Sequence, residues 1–228
     1  MIISHRHRFI FIKTRKTAGT SIEIALSRVC GEQDIITPIT PNDEEIRKEL
    51  GYRGPQNYFL PLVRYTPKDW ARLLVKGKRA LAFYNHIPAK LIRTLVDEEI
   101  WNTYFKFCFE RNPWDKAISW YYWITRQSEP QLSLSEFILS GKANRSDFGL
   151  YTINGEIVVD HVGLYENLDQ ELERIAEHLN LPDRIRLPSA KANYRKGRRH
   201  YREVLGLEEQ DVIAKAFARE IAHFGYQF

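Results

Sequence analysis

The stretch Phe9-Ile-Phe-Ile-Lys-Thr-Arg-Lys-Thr-Ala-Gly-Thr-Ser-Ile-Glu-Ile-Ala-Leu-Ser-Arg-Val-Cys-Gly31 decides the fold class. Phe9–Ile12 is a short continuous apolar run, the pattern of a strand covered on both faces in a parallel sheet. The residues that follow, Lys13–Ser21, are polar and mostly small. Ile22, Ala25, Leu26 and Val29 then recur at helical spacing, with Gly31 placed as a C-cap. The unit is strand, loop of phosphate size, helix. At such a junction the first helical N–H groups have no partner in the ladder and the helix dipole adds positive potential, so an anion is readily held.

Working outward, the same alternation recurs. Arg79–Tyr84 reads as a second core strand leaving through Asn85-His86-Ile87-Pro88, and Pro88 opens a helix running to Val96. Tyr104–Phe109 is a third apolar strand, ending in Glu110-Arg111-Asn112-Pro113 and followed by a Trp- and Tyr-rich helix to about Arg126. Glu156–Val162 makes a fourth strand. Further helices are expected at Asp43–Leu50, Pro67–Leu74, Ser135–Ser140, Leu168–Leu179 and Glu208–His223. Residues 32–79 are less regular and punctuated by Pro38, Pro41, Pro55, Pro61 and Pro67. No internal repeat or low-complexity tract occurs. The expectation is one α/β domain over residues 1–228, with a mostly parallel central sheet flanked by helices and a site at the strand C-terminal ends.

Bulk properties narrow the classes. The 228 residues are 43% hydrophobic and 28% charged, a globular balance that excludes a mainly disordered chain. Net charge is +5 and the isoelectric point about 9.1, which suits an anionic ligand and equally weak nucleic-acid binding. Cys30 and Cys108 are the only cysteines, too few for a disulfide framework or a four-thiolate zinc site. No run approaches the roughly 18 apolar residues of a membrane span, and Phe9–Ile12 is too short for a secretory core; a cytoplasmic location and no transmembrane segment are expected.

Within the loop, Gly19 permits a close backbone approach, Thr17, Thr20 and Ser21 offer hydroxyls, and Lys16 supplies a point charge. An N-capped helix preceded by a solvated lysine explains the same residues. A Walker A loop does not: its Lys follows the second Gly, whereas Lys16 precedes the only Gly in the loop by three. The second segment, Phe105-Lys-Phe-Cys-Phe-Glu-Arg-Asn-Pro-Trp-Asp-Lys-Ala-Ile-Ser-Trp-Tyr121, places Arg111 at a strand end and Ser119 two turns into the next helix.

Taken together, the two segments resemble the sulfotransferase superfamily, and most closely its carbohydrate 2-O-sulfotransferase-like and bacterial branch. The 5′-phosphosulfate loop of that family, Pro-Lys-Thr-Ala-Gly-Thr-Ser, is matched by Lys16–Ser21. Its 3′-phosphate motif, Arg-Asn-Pro-x-x-Arg-x-x-Ser, is matched by Arg111, Asn112, Pro113 and Ser119. Leu164-Tyr-Glu-Asn-Leu168, Arg195-Lys196-Gly197 and Phe224-Gly-Tyr-Gln-Phe228 are further echoes, so the likeness covers nearly the whole chain, least over residues 32–79. Arg15 stands where the family has Pro, and Lys116 where it has Arg.

The resemblance implies a P-loop nucleoside-triphosphatase-like sulfotransferase fold. It also implies transfer of a sulfuryl group from 3′-phosphoadenosine-5′-phosphosulfate (PAPS) to an acceptor hydroxyl, with a saccharide or glycolipid as the favoured acceptor. Lys16 would be the cation on the leaving oxygen and His86 the general base. Lys16, Thr17, Ala18, Gly19, Thr20, Ser21, Arg111, Ser119, Arg195, Lys196 and Gly197 would bind the nucleotide, and the chemistry demands no metal. Glu166 resembles a position on the acceptor side, or is a helix N-terminal acid.

Other residues are read more plainly. His161 packs against the sheet; His5 and His7 belong to a solvated terminus. Most of Trp114, Trp120, Tyr121, Tyr122 and Trp123 are core, with one or two facing a ligand. From Arg184 to Arg202 there are eight Lys or Arg residues and no acid; the surplus meets an anionic acceptor or solvent. A nucleotide- or nucleic-acid-binding protein without sulfuryl transfer is the alternative, but only Tyr194 and Tyr201 interleave with the basic run, so no nucleic-acid partner is expected. Acceptor choice is expected to reside in Pro38–Lys78 and Arg126–Glu156, the segments not tied to a constant donor.

Overall fold

Alternation along Phe9-Ile-Phe-Ile builds the centre of the molecule, because successive strand side chains point to opposite faces. In the computed structural model, which describes residues 1–127, 132–188 and 199–228, Phe9 and Phe11 pack with Phe107 and Phe109 on one face. Ile10 and Ile12 pack with Cys108 on the other. All seven are buried, and the Phe11 and Phe107 ring centroids are 5.4 Å apart.

In chain order the described elements are β1 (Ile2–Ser4), β2 (Phe9–Phe11), α1 (Gly19–Ser27), β3 (Ile35–Ile36), α2 (Pro41–Glu49), α3 (Pro67–Lys76), α4 (Ala89–Leu95), α5 (Glu98–Thr103), β4 (Phe105–Glu110) and α6 (Pro113–Ile124). Then come α7 (Leu134–Leu139), α8 (Phe148–Tyr151), β5 (Thr152–Ile153), β6 (Glu156–Ile157), β7 (His161–Leu164), α9 (Leu168–His178), α10 (Tyr201–Val204), α11 (Leu207–Ala216) and α12 (Ala218–Phe224). The central sheet has the order β3-β1-β2-β4-β7. Ile22 and Leu26 of α1 and Leu172 and Ile175 of α9 cover the phenylalanine face. Ile92, Trp101, Phe148 and Tyr151 cover the other. A third apolar cluster joins α6, α7 and α11 through Trp114, Ile118, Tyr121, Phe137 and Ile213.

The α/β class is as expected, but the sheet is mixed rather than mostly parallel. β2, β4 and β7 are parallel, in the registers Phe11↔Phe107 and Glu110↔Leu164. β1 is antiparallel to both β2 and β3. The cause is the four-residue connection His5–Arg8, which can only return the chain antiparallel. Asp34 holds that turn, accepting from the backbone N–H of His5 at 2.7 Å and the hydroxyl of Ser4 at 2.8 Å. His5 is therefore not solvated: its Nδ1 lies 3.0 Å from the Tyr104 hydroxyl. His7 is half-buried, and burial pushes its pKa below the usual imidazole value.

Four further expectations are corrected. Arg79–Tyr84 does not enter the central sheet. It forms a local ribbon with residues 58–60, through the Phe59↔Leu81 bridge and the 2.9 Å bond from Leu60 N–H to Ala80 C=O. Only one side of it is covered: Ala80, Ala82 and Phe83 are buried while Leu81 is exposed. The expected strand Glu156–Val162 is split between two partners: Glu156-Ile157 folds back onto β5 across the two-residue turn Asn154-Gly155 (φ 55° and 87°), while His161–Leu164 pairs with β4. Glu208–His223 is two helices meeting at Phe217 (φ −114°). The C-cap of α1 is Arg28 rather than Gly31. No helix among the described residues is long and apolar enough to cross a membrane.

Candidate active site

Because β2, β4 and β7 run parallel and adjacent, their C-terminal ends bring the loop after Phe11, the pair Arg111-Asn112 and the turn at Tyr165 to one edge of the sheet. The loop from Lys13 to Ala18 has two non-glycine residues with left-handed backbone, Lys16 (φ 63°) and Ala18 (φ 58°). Such residues cost about 1–3 kcal/mol each and persist only where the surroundings enforce them. In turns they direct neighbouring N–H groups toward an anion. Four contacts do the enforcing. The Thr14 hydroxyl donates to Phe109 C=O at 2.5 Å, and the Thr14 and Thr17 hydroxyls lie 2.9 Å apart. Arg111 Nη1 donates to Lys16 C=O at 2.8 Å, and Arg15 N–H donates to Asp147 Oδ2 at 2.6 Å.

Gly19 is needed for packing rather than for its torsion. A Cβ there would stand 2.9 Å from Lys13 Cγ and 3.2 Å from Thr14 O. Helix α1 starts immediately, with Ala18 as an N-cap that offers no side-chain oxygen. The first ladder bond is Ile22 N–H to Ala18 C=O at 3.1 Å, so the N–H groups of Gly19, Thr20 and Ser21 precede the ladder. No acidic residue lies in that first turn. An anion is the partner this geometry suits, which fits a phosphosulfate group. The Thr17 hydroxyl, by contrast, is turned inward to Thr14. Lys16 Nζ lies 5.7 Å over the ring of Trp123.

Arg111 ends β4, and its side chain is held in one orientation. Nε and Nη2 donate to Asp115 Oδ2 at 2.8 and 2.5 Å, and the guanidinium lies 4.1 Å over the Tyr165 ring. With the bond to Lys16 C=O, one hydrogen on each of its three nitrogens is used, leaving one on each terminal nitrogen for a ligand. Asp115 and Ser119 are four residues apart on α6, hence on one face, and Ser119 is half-buried. Asn112 caps α6, its Oδ1 accepting from Trp114 N–H at 3.1 Å.

Lys116, in the place of the family's arginine, is a buried structural cation. It bonds Glu110 Oε1 at 2.6 Å and Asp147 Oδ2 at 3.0 Å. Burial alone would lower its pKa, but the two carboxylates outweigh it and raise it. Tyr151 completes the network, donating to Glu110 Oε2 at 3.0 Å. Asp147, wholly buried, ties Lys116 to both the backbone and the guanidinium of Arg15. Burial would raise its pKa; Lys116 and Arg15 reverse that and hold it below the usual carboxylate value. A rigid loop thus stands where the family uses proline. Asp147→Asn replaces one of these acceptors with a donor and is expected to lower stability by about 1–3 kcal/mol, read from urea unfolding; an unchanged midpoint would show that the loop is held without this charge.

His86, also left-handed (φ 58°), has Nδ1 2.9 Å from Lys13 C=O. A carbonyl only accepts, so Nδ1 carries the hydrogen and Nε2 presents the lone pair. Burial, followed by the charge of Lys13, pushes its pKa down to about 4; the imidazole is therefore neutral near pH 7. Lys13 is itself pinned by a 2.8 Å bond to buried Glu23. Burial raises the Glu23 pKa, but Lys13 and the other cations around it win and hold the carboxyl at about 2. His86 thus reaches the loop although the segment before it is not a sheet strand.

The loop, Arg111 and His86 are therefore brought together. Arg195, Lys196 and Gly197 lie outside the described residues. His161 starts β7, at the opposite end from the loop, with Nε2 2.8 Å from Glu171 Oε2. Glu166 accepts from Asn112 N–H at 2.6 Å, a helix-capping contact. Among the described residues no three His, Cys, Asp or Glu side chains gather as a metal site requires. Asp147, Asp115 and Glu110 were not legible as site residues; Asp115 had a usable signal, its i,i+4 spacing from Arg111.

A family model described as "Sulfotransferase family" matches residues 1–227. An uncharacterized protein of Archaeoglobus fulgidus is 35% identical over 118 residues, which are 48% of this chain and 98% of the archaeal one. No solved structure matches.

Proposed function

Since the chain belongs to the sulfotransferase family, we propose that it moves a sulfuryl group from PAPS to a hydroxyl of a saccharide or glycolipid. The observation that carries this reading is the 2.8 Å bond from Arg111 to the Lys16 carbonyl. It joins the two anion-suited segments into one surface, as a ligand bearing phosphates at both ends requires. The 5′-phosphosulfate lies at the loop and the first turn of α1, and the 3′-phosphate between Arg111 and Ser119. The acceptor oxygen attacks sulfur as the bond to the bridging phosphate oxygen breaks. The acceptor becomes an O-sulfate ester, 3′-phosphoadenosine-5′-phosphate (PAP) leaves with the bonding pair, and the acceptor proton passes to Nε2 of His86. Lys16 offsets negative charge on the departing oxygen.

The test is binding of PAP and of adenosine 5′-phosphate, by calorimetry, to the wild type and two variants. Arg111→Ala is expected to weaken PAP by roughly 10–100-fold, the worth of a charged hydrogen bond, and Ser119→Ala by less. Neither should weaken adenosine 5′-phosphate comparably. Equal weakening of both nucleotides would reduce Arg111 to a brace for the loop, and preference for ATP with magnesium over PAP would overturn the reading.

A further inference from the structure

Residues 61–79 form one closed excursion from the body of the molecule. Its base is fastened where Leu60 N–H donates to Ala80 C=O and Ala80 N–H donates to the Tyr65 hydroxyl, each at 2.9 Å. None of these residues is buried, although the segment holds Leu62, Val63, Trp70, Leu73, Leu74 and Val75. Its helix, α3, is sealed by its own ends rather than by packing. Thr66 and Asp69 form a reciprocal capping box, Pro67 opens the first turn and left-handed Gly77 (φ 61°) closes the last.

The side chains of α3 are sorted by type. Trp70 makes a T-shaped contact with Tyr65, centroids 5.4 Å apart, and Leu73 is half-buried. Leu74 and Val75 are each 80% exposed, and Val63, in the short turn Leu62–Arg64, is 95% exposed. Pro67 and Ala71, also exposed, share the ridge of Leu74 and Val75 by their three- and four-residue spacing. Lys68, Arg72 and Lys76 recur every four residues and make a parallel row; Arg64, Lys78 and Arg79 bring the cations of the segment to six. The one acid is Asp69, and its carboxylate is occupied in the cap, accepting from Thr66 N–H at 2.9 Å.

Scattered exposed apolar residues are ordinary, whereas a ridge of them marks a contact surface. Its occupant must receive aliphatic side chains and balance six positive charges at once. A second copy fails the second condition. In a two-fold interface the patch meets itself, which sets cation rows face to face with only a capped acid on each side. An anionic bilayer surface meets both conditions: the headgroup boundary takes short aliphatic chains, and Lys and Arg stems extend from it to the phosphates. The 10 residues of α3 span about 15 Å, roughly half a hydrocarbon core, so the helix lies in the plane of the surface.

We propose that residues 61–79 are a docking surface for a membrane containing anionic lipids, with Val63, Leu74 and Val75 entering the interface and the cation row facing the headgroups. The proposal goes beyond sulfuryl transfer and does not rest on it, since α3 carries none of the groups placed at the donor site.

The test is co-sedimentation of the whole chain with vesicles of phosphatidylcholine alone and of phosphatidylcholine mixed with phosphatidylglycerol. Partition is expected to be at least about tenfold stronger onto the mixed vesicles and to weaken as salt rises. Val63→Ser/Leu74→Ser/Val75→Ser should lower it at least about tenfold, and Lys68→Gln/Arg72→Gln/Lys76→Gln should abolish the preference for the anionic lipid. All six positions are exposed, so folding is not at risk; a circular-dichroism melt and unchanged PAP affinity check it. Binding to neither vesicle, equal binding to both, or undiminished binding of the serine variant overturns the proposal. So does a wild-type dimer in sedimentation velocity that the serine variant dissolves, which assigns the ridge to self-association. A chain that docks on vesicles but binds no PAP overturns the donor reading and leaves this one standing.

Discussion

His86→Ala lowers kcat for sulfuryl transfer by about 10²–10⁴-fold, the range for loss of a general base, and leaves PAP affinity unchanged. The expectation follows from the tautomer: Lys13 C=O takes the Nδ1 hydrogen at 2.9 Å, so Nε2 is the only nitrogen able to accept a proton. The pH profile gives a second readout. With the pKa pushed down to about 4 by burial and by Lys13, kcat/KM stays on its plateau as pH falls through the ordinary imidazole range and is halved only near about 4. Inflection near 6.5 would point to an exposed histidine instead. The same shift links folding to pH. The fold favours neutral His86, so its contribution is complete above about 6.5 and is lost as pH falls from there toward 4. Near-wild-type turnover in His86→Ala would remove it from the chemistry.

Lys16→Ala is expected to cost about 10²–10³-fold in kcat, comparable to deleting one donor that stabilises developing negative charge, with a smaller effect on PAP binding. The difference arises because the backbone N–H groups of the loop and α1 remain in place to hold the ground-state phosphate, whereas the ammonium acts on charge that grows only in the transition state. Single-turnover rates at saturating donor separate the two. Lys16→Arg keeps the charge and should recover part of the loss. A variant that lost donor affinity and kcat in equal measure would make Lys16 a ground-state ligand rather than a catalytic one. The left-handed backbone at Lys16 is held from outside by Arg111 and by the Asp147–Arg15 contact, so neither substitution should release the loop.

The primary structure by itself determined the strand–loop–helix unit, the α/β class and the family, because each rests on local information. Apolar runs such as Phe9–Ile12 and Phe105–Phe109 announce two-faced strands, and small residues next to Lys16 leave room for an anion. Pro113 and Asn112 announce a helix start. Even the Asn154-Gly155 turn is written locally, immediately before the expected strand Glu156–Val162. Tertiary structure alone decided what depends on partners distant along the chain. Whether Arg79–Tyr84 enters the sheet turns on a competitor, residues 58–60, that pairs with it instead. Whether β1 is a strand turns on Asp34 closing the turn after Ser4. Lys116 stands where the resembled family has Arg, yet it is buried between Glu110 and Asp147, and its motif position carries no sign of acids 6 and 31 residues away. The titration of His86 has the same origin: an imidazole's pKa is set by the volume that excludes water and by the charge beside it, here Lys13, 73 residues earlier. Local spacing encodes which groups can do the chemistry; burial and long-range charge encode their protonation and aim, and those exist only once the chain has folded.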